Sequence, residues 1–118
     1  MRILLVDDEE SIRVALEFLL KRAGHQVTLA RTGEEAMKAL SRERFDLLIL
    51  DLVLPGLDGF AVLERVKALP QRPRVLVLTA RGREADRAKA LALGAEAFML
   101  KPFSTQELLA VVERGVRG

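Results

Sequence analysis

Five polar side chains in this sequence stand where short apolar runs end. Asp7 and Asp8 follow the first run, and Asp51 follows the third. Thr79 ends the fourth run, and Lys101 follows the fifth. A carboxylate placed directly after a buried strand is costly if it is desolvated alone, so Asp51 needs a partner or a chemical purpose.

Together these groups could support phosphoryl transfer to a carboxylate. Crowded carboxylates repel one another, and a hard cation such as Mg²⁺, which binds carboxylates, water and phosphate oxygens, relieves that repulsion. With Asp7, Asp8 and Asp51 around the metal, Asp51 could attack phosphorus as a nucleophile. Lys101 could neutralise one phosphoryl oxygen, and Thr79 could donate a hydrogen bond to another. The residue types therefore favour a magnesium-dependent acyl phosphate.

Each of these residues also has an ordinary structural explanation. Asp7 and Asp8, with Glu9 and Glu10, could favour the positive end of a following helix, and Asp51 could form a turn. Thr79 is a common strand residue, and Lys101 could be a solvated loop lysine. Taken singly, none of the five decides the matter. Their joint occurrence at the ends of four apolar runs favours a shared site.

The elements that would position these residues alternate regularly along the chain. Continuous apolar runs separated by helical patterns predict parallel strands covered on both faces. Five such units in 118 residues predict an α/β fold, a doubly wound five-stranded parallel sheet of (βα)5 flavodoxin-like type with strand order 2-1-3-4-5. A barrel would need eight units. The predicted strands lie near residues 2–7, 26–30, 46–50, 74–79 and 96–100.

Capping residues predict where the helices begin and end. Helices are expected over residues 10–23, 59–69 and 83–93, with two more after capping-box patterns. In an open parallel sheet, ligands bind beyond the carboxyl ends of the strands, which is where all five polar residues fall. The expected caps are Thr32, Asp58 and Ser104, and the expected stops are Gly24, Pro70 and Gly94.

The composition is that of one ordinary globular domain. The chain is 50% hydrophobic and 31% charged, and its net charge of +2 is spread over mixed signs. Absence of cysteine, tryptophan and tyrosine excludes thiolate sites and argues against a base-stacking platform. No apolar run reaches the ~20 residues of a membrane span, and acids follow the start too soon for a signal peptide. We therefore expect a cytoplasmic protein without a membrane partner.

Two other classes fit the motifs less well. Phosphatases of the haloacid dehalogenase kind need D-x-D after the first strand, whereas this chain has VDDE there and its best nucleophile after the third strand. A dinucleotide-binding domain needs G-x-G-x-x-G after a strand, and none follows one here.

Over residues 1–118, the chain resembles the receiver domain of two-component response regulators, the CheY-like family. The resemblance implies that Asp51 is the phosphoacceptor, that Asp7, Asp8 and the Val53 carbonyl bind Mg²⁺, and that Thr79 and Lys101 contact the phosphoryl group. It also implies a cis peptide before Pro102 and a switch in which Thr79 moves with Phe98, where tyrosine is common. A pseudo-receiver would lack one of the five site residues. The motifs that carry the resemblance are LLVDDEE, LLILDLVLPGLDGF, VLVLTA and FMLKPF.

The segments RGREADRAKALALGAEAF and KPFSTQELLA look most like the OmpR/PhoB subfamily. That likeness implies a sensor histidine kinase as phosphodonor and a C-terminal DNA-binding domain outside these 118 residues, with a stand-alone receiver as the alternative. It also implies a homodimer on activation, with Arg87 facing Glu107 of a partner chain. A second charge pair of the subfamily is replaced here by Ala97 and Val111, so we expect an interface held more by apolar contact.

Two residues beside the predicted path of attacking water bear on the lifetime of the phosphoryl group. Val53 lies two residues after Asp51, and Arg81 lies two residues after Thr79. Neither valine nor an outward-reaching arginine positions water well, so we expect slow self-dephosphorylation.

Overall fold

One parallel sheet, wrapped by helices, organises the chain. The computed structural model describes residues 1–117, and the side-chain surroundings of residues 1–114. Within residues 1–117 the strands have the order β2-β1-β3-β4-β5, which confirms the predicted doubly wound (βα)5 fold. The elements are β1 (Arg2–Val6), α1 (Glu10–Arg22), β2 (Gln26–Ala30), α2 (Gly33–Arg42), β3 (Leu47–Leu50), α3 (Gly59–Lys67), β4 (Arg74–Thr79), α4 (Glu84–Ala92), β5 (Ala97–Leu100) and α5 (Thr105–Arg117).

The apolar strands are continuous because the sheet is covered on both faces. Every residue of β3 is buried, and so are Ile3 to Val6 of β1, which pairs with it in register. Leu4 and Leu48 pack into a core cluster on one face, whereas Ile3 and Ile49 pack into a second cluster on the other face. Strands buried on both sides cannot alternate polar and apolar residues, which explains the sequence pattern.

The caps lie where the sequence predicts them. Thr32 accepts a hydrogen bond from Glu35 N at 3.1 Å, and Asp58 accepts one from Ala61 N at 3.0 Å. Gly24 has φ of 97°, a conformation that ends α1 at little cost for glycine. The third helix is two residues shorter than the predicted 59–69, because the N–H of Ala68 bonds back to the Arg65 and Val66 carbonyls and tightens its end.

The side of the molecule formed by β5 and α4 is packed less deeply than the centre of the sheet. In α4, all of whose residues are described, just Asp86 and Ala90 are buried. The neighbouring strand β5 has three half-buried residues and an exposed Leu100. This side of the molecule therefore has less apolar burial to hold its elements in place.

Candidate functional site

The polar residues predicted to converge do converge, at the carboxyl edge of the sheet. Lys101 Nζ lies 2.7 Å from Asp7 Oδ2 and 2.8 Å from Asp51 Oδ2. The strand ladder extends one residue further to carry them there, since Asp51 N donates to Val6 O and Lys101 N donates to Thr79 O. We call Asp7, Asp8, Asp51, Thr79 and Lys101 the rim.

Burial makes the rim charges depend on one another. Asp7, Asp51 and Thr79 are 1%, 5% and 0% exposed, whereas Asp8 is exposed. Desolvation raises the pKa of Asp7, and the hydrogen bond from Lys101 opposes that rise. Burial alone would lower the pKa of Lys101, but hydrogen bonds to Asp51, Asp7 and Glu9 raise it above its ordinary value. The lysine therefore stays protonated and compensates two buried carboxyl groups.

Each buried carboxylate divides its oxygens between backbone and lysine. Asp51 Oδ1 accepts a hydrogen bond from Val53 N at 3.0 Å, and Asp7 Oδ1 accepts one from Glu9 N at 2.9 Å. The second oxygen of each bonds to Lys101. These paired contacts fix the orientation of both carboxylates.

The backbone beneath Asp51 is braced by the first turn of α3. Gly59 N donates to Leu52 O at 3.0 Å. A Cβ atom at Gly59 would lie 2.5 Å from the Asp51 carbonyl oxygen and would also collide with Leu52 Cα. Glycine is required here by the close approach of two backbones, and the contact holds the Asp51 segment against α3.

The rim residues fit a divalent cation. One oxygen each from Asp7, Asp8 and Asp51 can be chosen so that all three lie within 4.8 Å of one another. Two of these acids are buried and one is exposed, a donor set suited to Mg²⁺, which binds a few carboxylates and keeps water. Val53 is 55% exposed beside them, and its carbonyl remains a predicted ligand.

The residues predicted to switch lie on the more lightly packed side. Thr79 Oγ1 accepts a hydrogen bond from Arg81 N at 3.2 Å. Phe98 is half-buried and packs against the core cluster that contains Val77 and Ala90. The Lys101–Pro102 peptide bond is cis. The switch roles of Thr79 and Phe98 remain predictions.

The predicted dimer residues lie on neighbouring elements. Arg87 is exposed on α4 and Glu107 is exposed on α5. Ala97 begins β5, and both it and Val111 are half-buried against the second core cluster. Both apolar members thus pack partly within their own chain, and their role between chains remains a prediction.

Two contacts and one buried residue were missed from the sequence or described incompletely. Glu9 Oε1 lies 2.8 Å from Lys101 Nζ, although an acid beginning a helix looked like a simple partner of the helix dipole. Arg81, expected to reach outward, keeps a side chain that is 39% exposed but also pairs with Asp86, since its Nε lies 3.1 Å from Asp86 Oδ2. Asp86 itself is buried, and the charged sequence around it gave no signal of that burial.

Comparisons with known proteins agree with this geometry. The response regulator receiver domain family matches residues 3–113. The alkaline phosphatase synthesis transcriptional regulatory protein PhoP of Bacillus subtilis is 43% identical over 116 residues, which cover 98% of this chain and 48% of that protein. The phosphate regulon transcriptional regulatory protein PhoB of Rhizobium meliloti is 41% identical over 118 residues, covering 98% and 52%. This chain spans about half the length of these relatives.

Solved structures give the same result. The receiver domain of the sensor histidine kinase PA1611 from Pseudomonas aeruginosa, with magnesium in its active site cleft, is 31% identical, with a TM-score of 0.90 over 99% of this chain and 98% of that one. The chemotaxis protein CheY4 of Vibrio cholerae is 32% identical, with a TM-score of 0.90 over 96% of each chain. Along residues 1–117, no helix is long and apolar enough to cross a bilayer.

The likeness to PhoP and PhoB confirms the resemblance to the OmpR/PhoB subfamily. With its rim assembled on a 2-1-3-4-5 sheet and a family match over nearly its whole length, the chain belongs to the response regulator receiver domain family.

Proposed function

We propose that this chain accepts a phosphoryl group on Asp51 from a sensor histidine kinase, in a Mg²⁺-dependent reaction, and that phosphorylation changes a surface used to control transcription. The observation that carries the proposal is the buried Asp51 carboxylate, oriented by Val53 N and lying 2.8 Å from Lys101 Nζ. Asp7 and Asp8, which together with Asp51 fit a metal ion, lie close to it. We further propose that the chain works in the cytoplasm.

In this mechanism Asp51 is the nucleophile, and the other rim residues bind the metal ion or stabilise the negative charge of the phosphoryl oxygens. Asp7, Asp8 and Asp51 would hold Mg²⁺, which when bound supplies positive charge to the oxygens of the transferred phosphoryl group. Asp51 forms the new O–P bond while the P–N bond to the donor histidine breaks, and the departing imidazole nitrogen takes up a proton. Lys101 exchanges its bond to Asp51 for one to a phosphoryl oxygen, and Thr79 donates its hydroxyl hydrogen to another.

This chemistry makes the chain a signalling domain that acts on itself. We propose that it catalyses its own phosphorylation and dephosphorylation and turns over no other substrate. The proposal draws support from the match of the receiver domain family to residues 3–113.

Phosphorylation of matched variants tests the assignment. Incubation with a histidine kinase or acetyl phosphate should add one acid-stable, base-labile phosphoryl group, measured as intact mass. EDTA should prevent the addition, and Asp51→Asn should abolish it. Asp46→Asn serves as control, because Asp46 is an exposed aspartate that bonds Arg2 N at the opposite edge of the sheet. Equal labelling of Asp51→Asn and the native chain would refute the assignment.

The transcriptional output rests on the relatives. PhoP and PhoB are named transcriptional regulators, and this chain spans about half of each. We propose that DNA is reached through a further C-terminal domain, with a stand-alone receiver acting through protein contacts as the alternative. The reading frame beyond residue 118 distinguishes these two proposals. The first requires that it continue into a DNA-binding domain, and the stand-alone receiver requires that it does not.

Activation is proposed to produce a symmetric dimer through α4, β5 and α5. The exposed Arg87 and Glu107 supply an ion pair between chains, and the replacement of the second pair by Ala97 and Val111 makes the contact more apolar. Exposed ion pairs contribute ~0–1 kcal/mol, so salt should weaken the dimer little. Sedimentation of the beryllofluoride-activated chain at low and high salt measures this. A monomer under both conditions would remove the dimer, and steep loss with salt would remove its apolar character.

A further inference from the structure

One buried acid lies outside the rim. Among residues 1–114, the buried polar or charged residues are Asp7, Asp51, Thr79 and Asp86. The first three belong to the rim, whereas Asp86 lies in the first turn of α4 and is 5% exposed. Burying a carboxylate is unfavourable unless it is paired and hydrogen-bonded, so its partners indicate what it does.

Two arginines that precede α4 bond to the same oxygen of Asp86. Arg83 Nε lies 2.9 Å and Arg81 Nε 3.1 Å from Asp86 Oδ2. The Arg83 side chain is 71% exposed, whereas that of Arg81 is 39% exposed. The hydrogen bond from Arg83 lowers the pKa of Asp86, with a further contribution from Arg81, so the carboxylate is charged at neutral pH. Of the two partners, Arg81 is the less exposed.

Arg81 also contacts two residues near Asp51, namely Phe60 and Thr79. Its guanidinium carbon lies 5.5 Å from the centroid of the Phe60 ring, and Lys89 Nζ on α4 lies 4.4 Å from the same ring. Phe60 follows Gly59, whose backbone packs against Asp51. The backbone N–H of Arg81 donates to Thr79 Oγ1 at 3.2 Å. One residue thus connects the Thr79 hydroxyl, the first turn of α3 and the buried acid of α4.

This connection matters because α4 has little else to hold it. Its buried residues are Asp86 and Ala90, and alanine buries little apolar area. Elements with few buried apolar contacts open at low free energy. The position of α4 therefore depends on Asp86 more than the position of a deeply packed helix depends on any one polar residue.

We propose that Asp86 is a positioning residue that couples the order of α4 to the hydroxyl of Thr79 through Arg81. When that hydroxyl turns toward a phosphoryl group on Asp51, the Arg81 N–H loses its acceptor and α4 loses part of its anchor. Coupling free energies are reciprocal, so breaking the Asp86 end also frees the Thr79 end. The phosphoryl half of this inference rests on the proposed function, whereas the link between Thr79 and α4 does not.

Hydrogen exchange of the α4 amides tests the link without phosphorylation. Asp86→Asn and Thr79→Ala should each speed exchange in Glu84–Ala92 by about fivefold or more. The double variant should exchange no faster than the faster single variant, because both cut one chain of contacts. Glu84→Gln controls for loss of a first-turn charge and should have less effect, because Glu84 is exposed. Unchanged exchange in Asp86→Asn, or independent addition of the two effects, overturns the proposal.

Phosphorylation by acetyl phosphate tests the second half. Asp86→Asn should raise the phosphorylation rate by about threefold or more, because Thr79 is then freer to turn. In an Arg81→Gln background the same substitution should leave the rate unchanged. A rate that does not rise, or that rises equally in both backgrounds, overturns the coupling to phosphoryl transfer. If the native chain takes up no phosphoryl group, the proposed function fails, and the exchange cycle still decides the link.

Discussion

The rim has two halves that are held by different means. Asp7 and Asp51 form the half that we call fixed, and Thr79 forms the other half. Asp7 and Asp51 extend strands that are buried on both faces, and the backbone beneath Asp51 is braced by Gly59. Thr79 instead leads into a segment whose helix, α4, buries Asp86 and Ala90. The proposed nucleophile and metal ligands must be fixed before reaction, whereas the proposed responding element must move at low cost. The different neighbours of the two halves suit these two proposed roles.

The fixed half should fail most severely when Lys101, which pairs with both of its buried acids, is replaced. Lys101→Met leaves the Asp7 and Asp51 carboxylates buried with no ammonium between them. Without metal, we expect the free energy of unfolding to fall by about 2–4 kcal/mol, with partial recovery on adding Mg²⁺. Phosphorylation should slow by about a hundredfold or more. Urea unfolding in EDTA and in Mg²⁺, with acetyl phosphate kinetics, measures both.

A matched lysine variant controls that experiment. Lys67→Met removes an exposed lysine from the end of α3 and should change stability by less than about 0.5 kcal/mol. Equal unfolding free energies for the two lysine variants would contradict the assignment of Lys101 as the partner of two buried acids.

Two glycines compare the halves directly. Gly59→Ala places a methyl group against backbone atoms of Asp51 and Leu52, which cannot step aside, and should cost about 1–3 kcal/mol and slow phosphorylation. Gly82→Ala places one 2.6 Å from Leu100 Cδ2, the end of a side chain that is 50% exposed and can turn away. It should cost less than about 0.5 kcal/mol. Thermal unfolding of both variants measures the two losses of stability. A larger loss in Gly82→Ala than in Gly59→Ala would contradict the difference between the two halves.

Phosphoryl lifetime depends on both halves. Val53 is 55% exposed beside Asp51, and Arg81 is engaged with Asp86 and Phe60, so neither residue holds water for attack. We expect the phosphoryl group on Asp51 to have a half-life well beyond seconds, measured as loss of label after the donor is removed. Val53→Glu should shorten the lifetime by about tenfold by adding a carboxylate base. Val14→Glu on α1, where valine is 60% exposed, should not. Decay of the native chain within seconds would contradict this prediction.

Acid should affect the two halves in opposite senses. Burial raises the pKa of Asp7 above 3.8, so the folded chain binds more protons there than the unfolded chain, and metal-free stability falls as pH rises through that window. Hydrogen bonding by Arg83 lowers the pKa of Asp86, so its contribution is present above 3.8 and is lost as pH falls toward the lowered value. Urea unfolding between acid and neutral pH should lose the first slope in Asp7→Asn and the second in Asp86→Asn. If the free energy of unfolding depended on pH in the same way in both variants, the predicted opposite effects of Asp7 and Asp86 would be wrong.

The parts of the molecule that the sequence predicted are those with strong local signals. Continuous apolar runs identify the strands wherever both faces are covered, as at β1 and β3. A polar residue directly after such a run lies at the carboxyl edge, so the sequence alone predicts that Asp7, Asp51 and Lys101 lie close together. Helix caps such as Asp58 act within three residues and are equally readable.

Contacts between distant segments on the lightly packed side could not be predicted in this way. Asp86 stands in RGREADRAKA, where six of the ten residues are charged, and solvation is the ordinary expectation for such a segment. Its burial follows from how α4 lies on the sheet and from the path of Arg81 to Phe60. The bond from Glu9 to Lys101 likewise joins residues 92 positions apart, and helix-dipole reasoning at Glu9 gave no sign of it.

The thin anchoring of α4 makes it a suitable place for an optical reporter. The chain contains no cysteine, so one introduced thiol would carry one dye with no competing site. Ala88 is exposed on α4, and Ala88→Cys would place the dye on the helix whose order is expected to change. Lys38→Cys, on the exposed face of α2, would give a reference signal from the same sheet. The ratio of the two emissions would then report the state of the rim in real time, without radioactive label.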